Sequence, residues 1–255
     1  SMSKPLHSGR AAEAGVAAAA MAQQGVTGSL DVFEGKMGLG VAMSNAPDWA
    51  PVLADLGEVF NICAMTFKNH TCCGHTFAPI DGALALQQAH GIHAADIAEI
   101  RVSTYAPALA VAGNPAPTTA AEARFSIPYV VATALLFGSV RLAAFDAARL
   151  ADPTLRALMA RVVLEVEPVL DQQFPGQRAA AVAITLHDGT QHRFLQPTRK
   201  GDPDLPLTDD DLQSKLEEFA GPVLGADALE RVARQLWALE RAENVGFLSN
   251  ATLLP

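Results

Sequence analysis

The 255-residue sequence predicts an α+β fold, in which a helical layer accompanies a smaller α+β domain with a mostly antiparallel sheet. Three observations lead to this prediction. Ala-rich segments with helix-end signals lie toward both ends of the chain. Short stretches of alternating apolar and polar residues, typical of half-buried strands, lie between them. Half of the residues are apolar, which is enough for a large core.

The first predicted helix covers residues 9–25, an Ala-rich segment that ends at Gly25. A second, short helix is predicted around residues 30–36, before the glycine-rich residues 35–40. Because the first helix carries small side chains on nearly every face, we expect it to pack closely against other helices. Residues 1–65 are therefore predicted to be part of a helical domain.

Four strands are predicted in the middle of the chain. Two show period-two alternation, and two flank Asp188-Gly189, a dipeptide typical of a hairpin turn. The predicted strands cover residues 100–105, 162–167, 181–186 and 191–195. Helices that alternate with antiparallel strands favour an α+β domain over residues 66–205.

One long buried helix is predicted between the first two strands, over residues 118–137. Its Tyr129 is expected in the core with a hydrogen-bonded hydroxyl group. Its Arg124, if buried, needs an anionic partner, for which an acidic side chain is favoured over the substrate. After a polar connector, residues 206–255 are predicted to return to the helical domain, with a final helix over residues 226–242.

Composition excludes several classes of function. The net charge is −9, and no basic run is longer than Arg199-Lys200, so a nucleic-acid partner is not expected. No apolar stretch approaches the roughly 18 residues of a membrane span, and the sequence starts without a signal-peptide pattern. Three cysteines, two of them adjacent, argue against a disulfide framework. These features predict a cytoplasmic protein without a membrane partner.

Residues 67–81 hold the densest group of chemically active side chains. Lys68, His70 and His75 precede what is predicted to be a helix that Thr76 caps. The N–H groups and dipole of a helix N-terminus favour anions, which suits a carboxylate ligand. Histidines transfer protons near neutral pH.

The two neighbouring cysteines in this segment leave alternatives open. Cys72 and Cys73, together with the two histidines, have ligand types typical of zinc, but adjacent cysteine side chains diverge and no second Cys/His pair completes the set. No metal site is therefore expected. A reactive thiol is a second alternative, because a helix N-terminus and a nearby lysine lower the pKa of a cysteine. Buried cysteines more often serve as inert packing residues.

Segments along nearly the whole chain resemble the MmgE/PrpD family in order and spacing. The opening residues resemble its Lys-Pro-(x)-His-x-Gly-x-Ala-Ala stretch, and the segment before the predicted helix resembles its Cys-Cys-x-His-Thr region. Further along, the chain resembles the Arg/Gln-Phe-Ser-x-x-Tyr helix and the Lys-Gly-x-Pro connector. The matching residues are 1–12, 68–81, 124–129 and 200–203.

The resemblance implies a large all-helical domain and a smaller α+β domain, with the active site between them. Family members include 2-methylcitrate dehydratase, cis-aconitate decarboxylase and iminodisuccinate epimerase. They share proton transfer at a carbon next to a carboxylate, without a metal or organic cofactor. The resemblance therefore implies no cofactor, a small carboxylate as substrate, and a homodimer.

Two lysines carry over directly from the decarboxylase branch. Lys4 and Lys68 fall on lysines that line its active site, which implies that they bind substrate carboxylates. His7 lies three residues after Lys4 and either faces the same cleft or only begins a helix. Cys73 stands where that branch carries a catalytic histidine, and residues 111–114 lack its tyrosine. These departures disfavour cis-aconitate decarboxylation.

The resemblance further implies that the chain corresponds to the C-terminal half of a family member. The N-terminal half supplies most of the helical domain, together with an acidic residue and a histidine of the site. Our first hypothesis is a 2-methylcitrate dehydratase-like lyase, followed by an iminodisuccinate epimerase-like isomerase. The alternatives are a truncated non-catalytic fragment and a thiol-dependent enzyme. The expected catalytic residues are Lys68, His70 and His75, and the expected substrate-binding residues are Lys4, His7, Lys68 and Cys73.

Overall fold

A computed structural model describes residues 3–248 and divides the chain into two compact units, which separate after Cys63. The helices are α1 (Ser3–Gln23), α2 (Leu39–Met43), α3 (Ala50–Leu53), α4 (Phe77–His90), α5 (Ala106–Ala112), α6 (Ala120–Ala123), α7 (Ile127–Phe137), α8 (Ala147–Leu150), α9 (Pro153–Met159), α10 (Pro168–Gln173), α11 (Asp209–Leu224) and α12 (Ala226–Leu236). The strands are β1 (Ile97–Thr104), β2 (Val162–Val166), β3 (Ala180–Leu186) and β4 (Gln191–Gln196).

The first unit contains α1 to α3. The helix predicted over residues 9–25 is confirmed, although α1 begins earlier, at Ser3. The helix predicted around residues 30–36 is wrong, because that segment forms turns and α2 begins only at Leu39. The turn closed by the Gly35 N–H and the Asp31 carbonyl does not propagate, since Gly38 takes an extended conformation.

The second unit is built on one four-stranded sheet with the order β2-β1-β3-β4. β3 pairs antiparallel with both β1 and β4, and the predicted hairpin at Asp188-Gly189 is confirmed. β1 and β2 pair in parallel, in contrast to the expected antiparallel strands. Helices α5 to α9 lie between these two strands in the chain, and such a crossover lets the second strand run in the direction of the first. The mostly antiparallel α+β fold is confirmed.

The long helix predicted over residues 118–137 is interrupted. Ser126 has an extended backbone, and its hydroxyl oxygen accepts a hydrogen bond from the Tyr129 N–H, so it caps a new helix. Pro128 lies in the first turn of α7, where a missing N–H is tolerated. The shorter α6 has its own capping box, formed by Thr119 and Glu122.

The core forms where α4 and α7 pack beside the sheet. Tyr129 is fully buried, and its hydroxyl donates to the Ala144 carbonyl oxygen at 2.6 Å, as predicted. Arg124 is half-buried, and its guanidinium lies 4.6 Å from the ring centre of Phe145. The described residues give its guanidinium no acidic partner, so the expectation of an ion pair is replaced by a cation–π contact.

Two helices follow the polar connector. α11 begins at a capping box formed by Thr208 and Asp211, as the acidic first turn favours. α12 ends at Leu236, earlier than predicted, and a 3₁₀ turn follows at Leu239–Arg241. Within residues 3–248, no helix has the length and apolar character needed to span a membrane.

Candidate functional site

The loop at residues 67–76 carries the predicted site and is fixed by backbone hydrogen bonds at three points. The Phe67 N–H donates to the Gly201 carbonyl oxygen at 2.8 Å, and the Thr71 N–H donates to the Val140 carbonyl oxygen at 3.1 Å. Near the far end, the Cys73 N–H donates to the Arg124 carbonyl oxygen at 2.9 Å. The loop therefore holds its side chains in defined positions beside α4.

The predicted capping role of Thr76 is wrong. Its hydroxyl donates to the Cys73 carbonyl oxygen at 2.8 Å and lies 3.0 Å from the Cys72 sulfur. A 3₁₀ turn at Gly74–Thr76 leads directly into α4, so Thr76 has helical backbone angles. A capping side chain needs an extended backbone to reach the free N–H groups of the first turn.

His75 is held by a residue from the end of β1. Its Nδ1 lies 2.8 Å from the hydroxyl oxygen of Tyr105, whose side chain is buried. The Tyr105 ring stacks on Phe174, with the ring centres 4.6 Å apart. The imidazole of His75 also contacts Phe174, at 6.2 Å between ring centres. These contacts fix the imidazole ring and leave Nε2 without a hydrogen-bond partner among the described residues.

The electrostatic surroundings keep His75 and Tyr105 neutral at pH 7. Burial lowers the pKa of His75, and the positive charges of Arg178 and Arg199 lower it further. Burial also raises the pKa of Tyr105 to about 12. A neutral imidazole with one nitrogen engaged has its other nitrogen free to accept or donate a proton.

Arg199 approaches the loop because Gly74 has no side chain. A Cβ atom at residue 74 would meet the Arg199 guanidinium at 2.9 Å. Arg199 is buried and makes a two-pronged ion pair with Asp202, at 2.6 and 2.8 Å. Its guanidinium is therefore fixed near the imidazole of His75, where it disfavours protonation.

His70 is placed differently from His75. It is only 4% exposed, and its Nε2 lies 2.9 Å from one carboxylate oxygen of Asp81. The other oxygen of Asp81 accepts from the Lys200 N–H at 2.9 Å. His70 thus links the loop through α4 to the connector, and its catalytic role stays a prediction.

Lys68 is exposed at the start of the loop. Its Nζ donates to the Cys72 carbonyl oxygen at 3.3 Å and lies 6.0 Å from the ring centre of Phe77. The described residues offer its ammonium group no carboxylate within ion-pair distance. An exposed ammonium group of this kind has donors available for a ligand carboxylate.

The structure argues against the alternative of a reactive thiol at Cys72. Burial raises the pKa of Cys72 to about 12, outweighing the lowering effect of the Lys68 charge. The neutral thiol is a poor nucleophile. Cys73 is half-buried, and all three cysteines are free. In the part of the chain that the structure describes, no three His, Cys, Asp or Glu side chains come together in a way that holds a metal ion.

The structure brings Lys68, His70, Cys73 and His75 together on one loop of the second unit. Lys4 and His7 are residues of α1 in the first unit, so their substrate-binding role stays a prediction. His7 is exposed, and the side chain of Lys4 lies outside the described part of the structure.

Sequence reasoning did not identify Tyr105, Arg178 or Arg199 as parts of the site. Tyr105 is one of only two tyrosines and is the last residue of the strand predicted over residues 100–105, which was the one available signal. The two arginines reach His75 only through folding, because they lie about a hundred residues further along the chain.

Comparison with known proteins agrees with this architecture. The model of the MmgE/PrpD C-terminal domain matches residues 70–239, and that of the MmgE/PrpD N-terminal domain matches residues 1–52. The chain is 28% identical over 252 residues to cis-aconitate decarboxylase from Mus musculus, covering 96% of this chain and 51% of that protein. The chain is also 26% identical over 253 residues to cis-aconitate decarboxylase from Homo sapiens, covering 96% of this chain and 52% of that protein.

A third relative matches a shorter region. The 2-methylcitrate dehydratase from Cupriavidus necator is 36% identical over 116 residues, covering 44% of this chain and 23% of that protein. The chain spans about half the length of the curated decarboxylases it matches. Because the C-terminal domain model alone covers more than half of the sequence, this chain belongs to the MmgE/PrpD family.

Proposed function

We propose that this chain carries the carboxylate-binding and proton-transfer part of a cofactor-independent lyase that acts on a small di- or tricarboxylate. The observation that carries the proposal is His75, on the loop that also presents Lys68. Its imidazole is oriented by Tyr105 and kept neutral by burial and by the charges of Arg178 and Arg199. A neutral, oriented imidazole on the same loop as an exposed ammonium group suits proton transfer next to a bound carboxylate.

In the proposed reaction, His75 acts as the general base. The tautomer with hydrogen on Nδ1 donates to the Tyr105 oxygen and leaves the Nε2 lone pair free. Nε2 takes the proton from the carbon next to a substrate carboxylate, while Lys68 holds that carboxylate and stabilises the negative charge that develops on it. In a dehydration, the electron pair then forms the carbon–carbon double bond, and the β-hydroxyl group leaves as water after it accepts the abstracted proton back from Nε2 of His75.

Dehydration of a 2-methylcitrate-like acid is our first choice of reaction. The dehydratase from Cupriavidus necator has the higher local identity, 36% over 116 residues. The resemblance assigns a catalytic histidine and a tyrosine to the decarboxylase branch. This chain has Cys73 at the histidine position and no tyrosine within residues 111–114. Asn114 instead forms a turn, in which its side-chain oxygen accepts from the Ala116 N–H at 3.1 Å.

Decarboxylation of cis-aconitate is the second candidate. It is favoured by the two cis-aconitate decarboxylases that match 96% of the chain. Epimerisation of an imino-dicarboxylate remains a third prediction. A further alternative is that the chain is a fragment without catalytic activity.

We also propose that the protein forms a homodimer in the cytoplasm. The small carboxylate is the only other partner proposed.

A substrate panel tests this proposal. The native protein is incubated with 2-methylcitrate, citrate, cis-aconitate and an imino-dicarboxylate, and the products are followed by proton NMR. We expect 2-methylcitrate to give an unsaturated tricarboxylate. In Lys68→Ala the Michaelis constant should rise sharply, and Lys36→Gln serves as a control at an exposed lysine of the first unit. Carbon dioxide release from cis-aconitate would support the second candidate, and no conversion of any acid would reject the lyase.

A further inference from the structure

Lys215 of α11 places a second ammonium group beside the loop that carries Lys68. Its Nζ donates to the Lys68 carbonyl oxygen at 2.8 Å. The Lys68 ammonium group donates to the Cys72 carbonyl oxygen at 3.3 Å. An ammonium group has three N–H donors, so each lysine keeps two donors beyond these described bonds.

Arg141 brings a third positive charge to the same place. Its guanidinium donates to the Asn69 side-chain oxygen at 3.1 Å and lies 3.4 Å from a carboxylate oxygen of Glu218. Glu218 also accepts from the Leu142 N–H at 3.1 Å. Glu218 pairs with Arg141 alone, so the three cations Lys68, Lys215 and Arg141 together with this carboxylate have a net charge of +2, in a chain of net charge −9.

The other carboxylates near Lys215 on α11 are already engaged. Asp211 binds the ammonium group of Lys200 at 2.8 Å, and Glu217 accepts from the Gln213 side chain at 2.8 Å. Among the described residues, neither Lys68 nor Lys215 forms an ion pair. Burial and the positive charges of Arg141 and Lys68 lower the pKa of Lys215, as expected where cations lie close together.

We infer that Lys68, Lys215 and Arg141 form a subsite for two carboxylates of one ligand, with Lys215 as a substrate-binding residue. A net charge of +2 is neutralised by a dicarboxylate group, whereas a monocarboxylate leaves one positive charge unpaired. This inference rests on the proposed function, because it takes Lys68 as a carboxylate anchor. It adds Lys215 and Arg141 to the recognition of the proposed di- or tricarboxylate, so that α11 contributes to the site.

The competing explanation is structural. Lys215 would then serve only to tie α11 to the loop by its bond to the Lys68 carbonyl oxygen. The two explanations differ in what the lysine does for ligand affinity. A structural tie contributes to the free energy of unfolding without ligand, whereas a subsite contributes to the binding of polycarboxylates.

Calorimetric titration of the full chain with citrate, succinate and butyrate tests the inference. We expect citrate and succinate to bind and butyrate to bind at least about tenfold more weakly. In Lys215→Gln the citrate dissociation constant should rise about tenfold, and in Lys215→Arg it should change little, since a guanidinium also donates to carboxylates. Lys36→Gln, which removes the same charge from an exposed site in the first unit, should leave it unchanged.

Three results would overturn the subsite. Equal binding of butyrate and citrate would remove the requirement for two carboxylates. An unchanged citrate affinity in Lys215→Gln, together with a lower melting temperature without ligand, would establish the structural tie. No citrate binding to the wild-type chain at about 10 mM would reject the subsite itself.

A fourth result would separate the subsite from the proposed function. Citrate binding that depends on Lys215, without turnover of any acid, would retain the subsite and reject the lyase.

Discussion

Nδ1 of His75 lies 2.8 Å from the hydroxyl oxygen of Tyr105, which joins the loop before α4 to the end of β1. Burial lowers the pKa of the histidine and raises the pKa of the tyrosine to about 12, so both partners are neutral at pH 7. The bond therefore orients the imidazole without charging it. A general base that works near neutral pH requires this state.

The pKa of His75 should lie below its ordinary value of about 6.5. The positive charge of Arg178 disfavours the imidazolium, so Arg178→Ala should raise the pKa toward 6.5. NMR titration of the His75 ring protons measures both values. Arg241→Ala removes an equally charged but exposed side chain and should have no effect. A wild-type pKa of His75 at or above 6.5 would contradict the effect assigned to burial and to the charge of Arg178.

Acid should destabilise the folded chain partly through His75. Because its folded pKa is lowered, the unfolded chain takes up the proton first as the pH falls below about 6.5. The free energy of unfolding contributed by the neutral ring is complete above this pH and declines toward the folded pKa. Urea midpoints at several pH values should fall less steeply in His75→Gln than in the wild type. Parallel curves would show that His75 has the same pKa in both states.

Tyr105→Phe should release the His75 ring from its fixed tautomer. Removal of the hydroxyl takes away the one described partner of Nδ1 and should reduce stability by about 1 kcal/mol. Long-range nitrogen–proton NMR spectra should show a changed tautomer population at His75, and turnover should fall about tenfold.

Tyr129→Phe is the matched control for this variant. It also removes a buried hydroxyl bond, the one to the Ala144 carbonyl oxygen at 2.6 Å, but it does not contact His75. We expect a comparable loss of stability with an unchanged His75 spectrum. The same change of tautomer in both tyrosine variants would show that Tyr105 has no specific effect on the imidazole.

The cysteines should differ strongly in their reaction with a maleimide at pH 8. Cys63 is exposed and should react quickly, whereas Cys72 is buried with a pKa of about 12 and should stay unmodified until the chain unfolds. Mass spectrometry of peptides after short labelling times measures each site. Modification of Cys72 in the folded chain as fast as that of Cys63 would reopen the hypothesis of a reactive thiol.

Gly201→Ala should destabilise the connector by more than about 2 kcal/mol. Gly201 has a φ of +101°, and an added Cβ would collide with the Phe67 carbonyl oxygen at the base of the site loop. Gly189→Ala is the control, because Gly189 also has a positive φ but open space around it. Its cost should be about 1 kcal/mol. Equal urea midpoints for the two variants would show that close packing at Phe67 does not matter.

Local sequence signals predicted much of the fold. The hairpin around Asp188-Gly189 and the strand that became β1 follow from alternation and turn residues, which act over a few positions. The break at Ser126 was missed because apolar residues continue on both sides, although a capping serine two residues before a proline was visible. The parallel pairing of β1 with β2 depends on a crossover of nearly sixty residues, which no local pattern encodes.

The candidate site likewise contains residues that local sequence signals predicted and residues that only the folded structure brings in. Lys68, His70, Cys73 and His75 stand close together in the sequence, so their density pointed to the loop. Tyr105, Arg178 and Lys215 come from three other parts of the chain, and only the folded structure brings them to that loop. The wrong expectation for Thr76 arose because a 3₁₀ turn, which the sequence did not signal, precedes α4.

The most direct test of the central claim is the turnover of 2-methylcitrate by the native protein and by His75→Gln, followed by proton NMR in deuterated water. If His75 transfers the proton, the wild type forms an unsaturated tricarboxylate, and the variant binds the acid but forms the product at least about a hundredfold more slowly. Turnover in His75→Gln at the wild-type rate would contradict the account, because the base would then be a different residue.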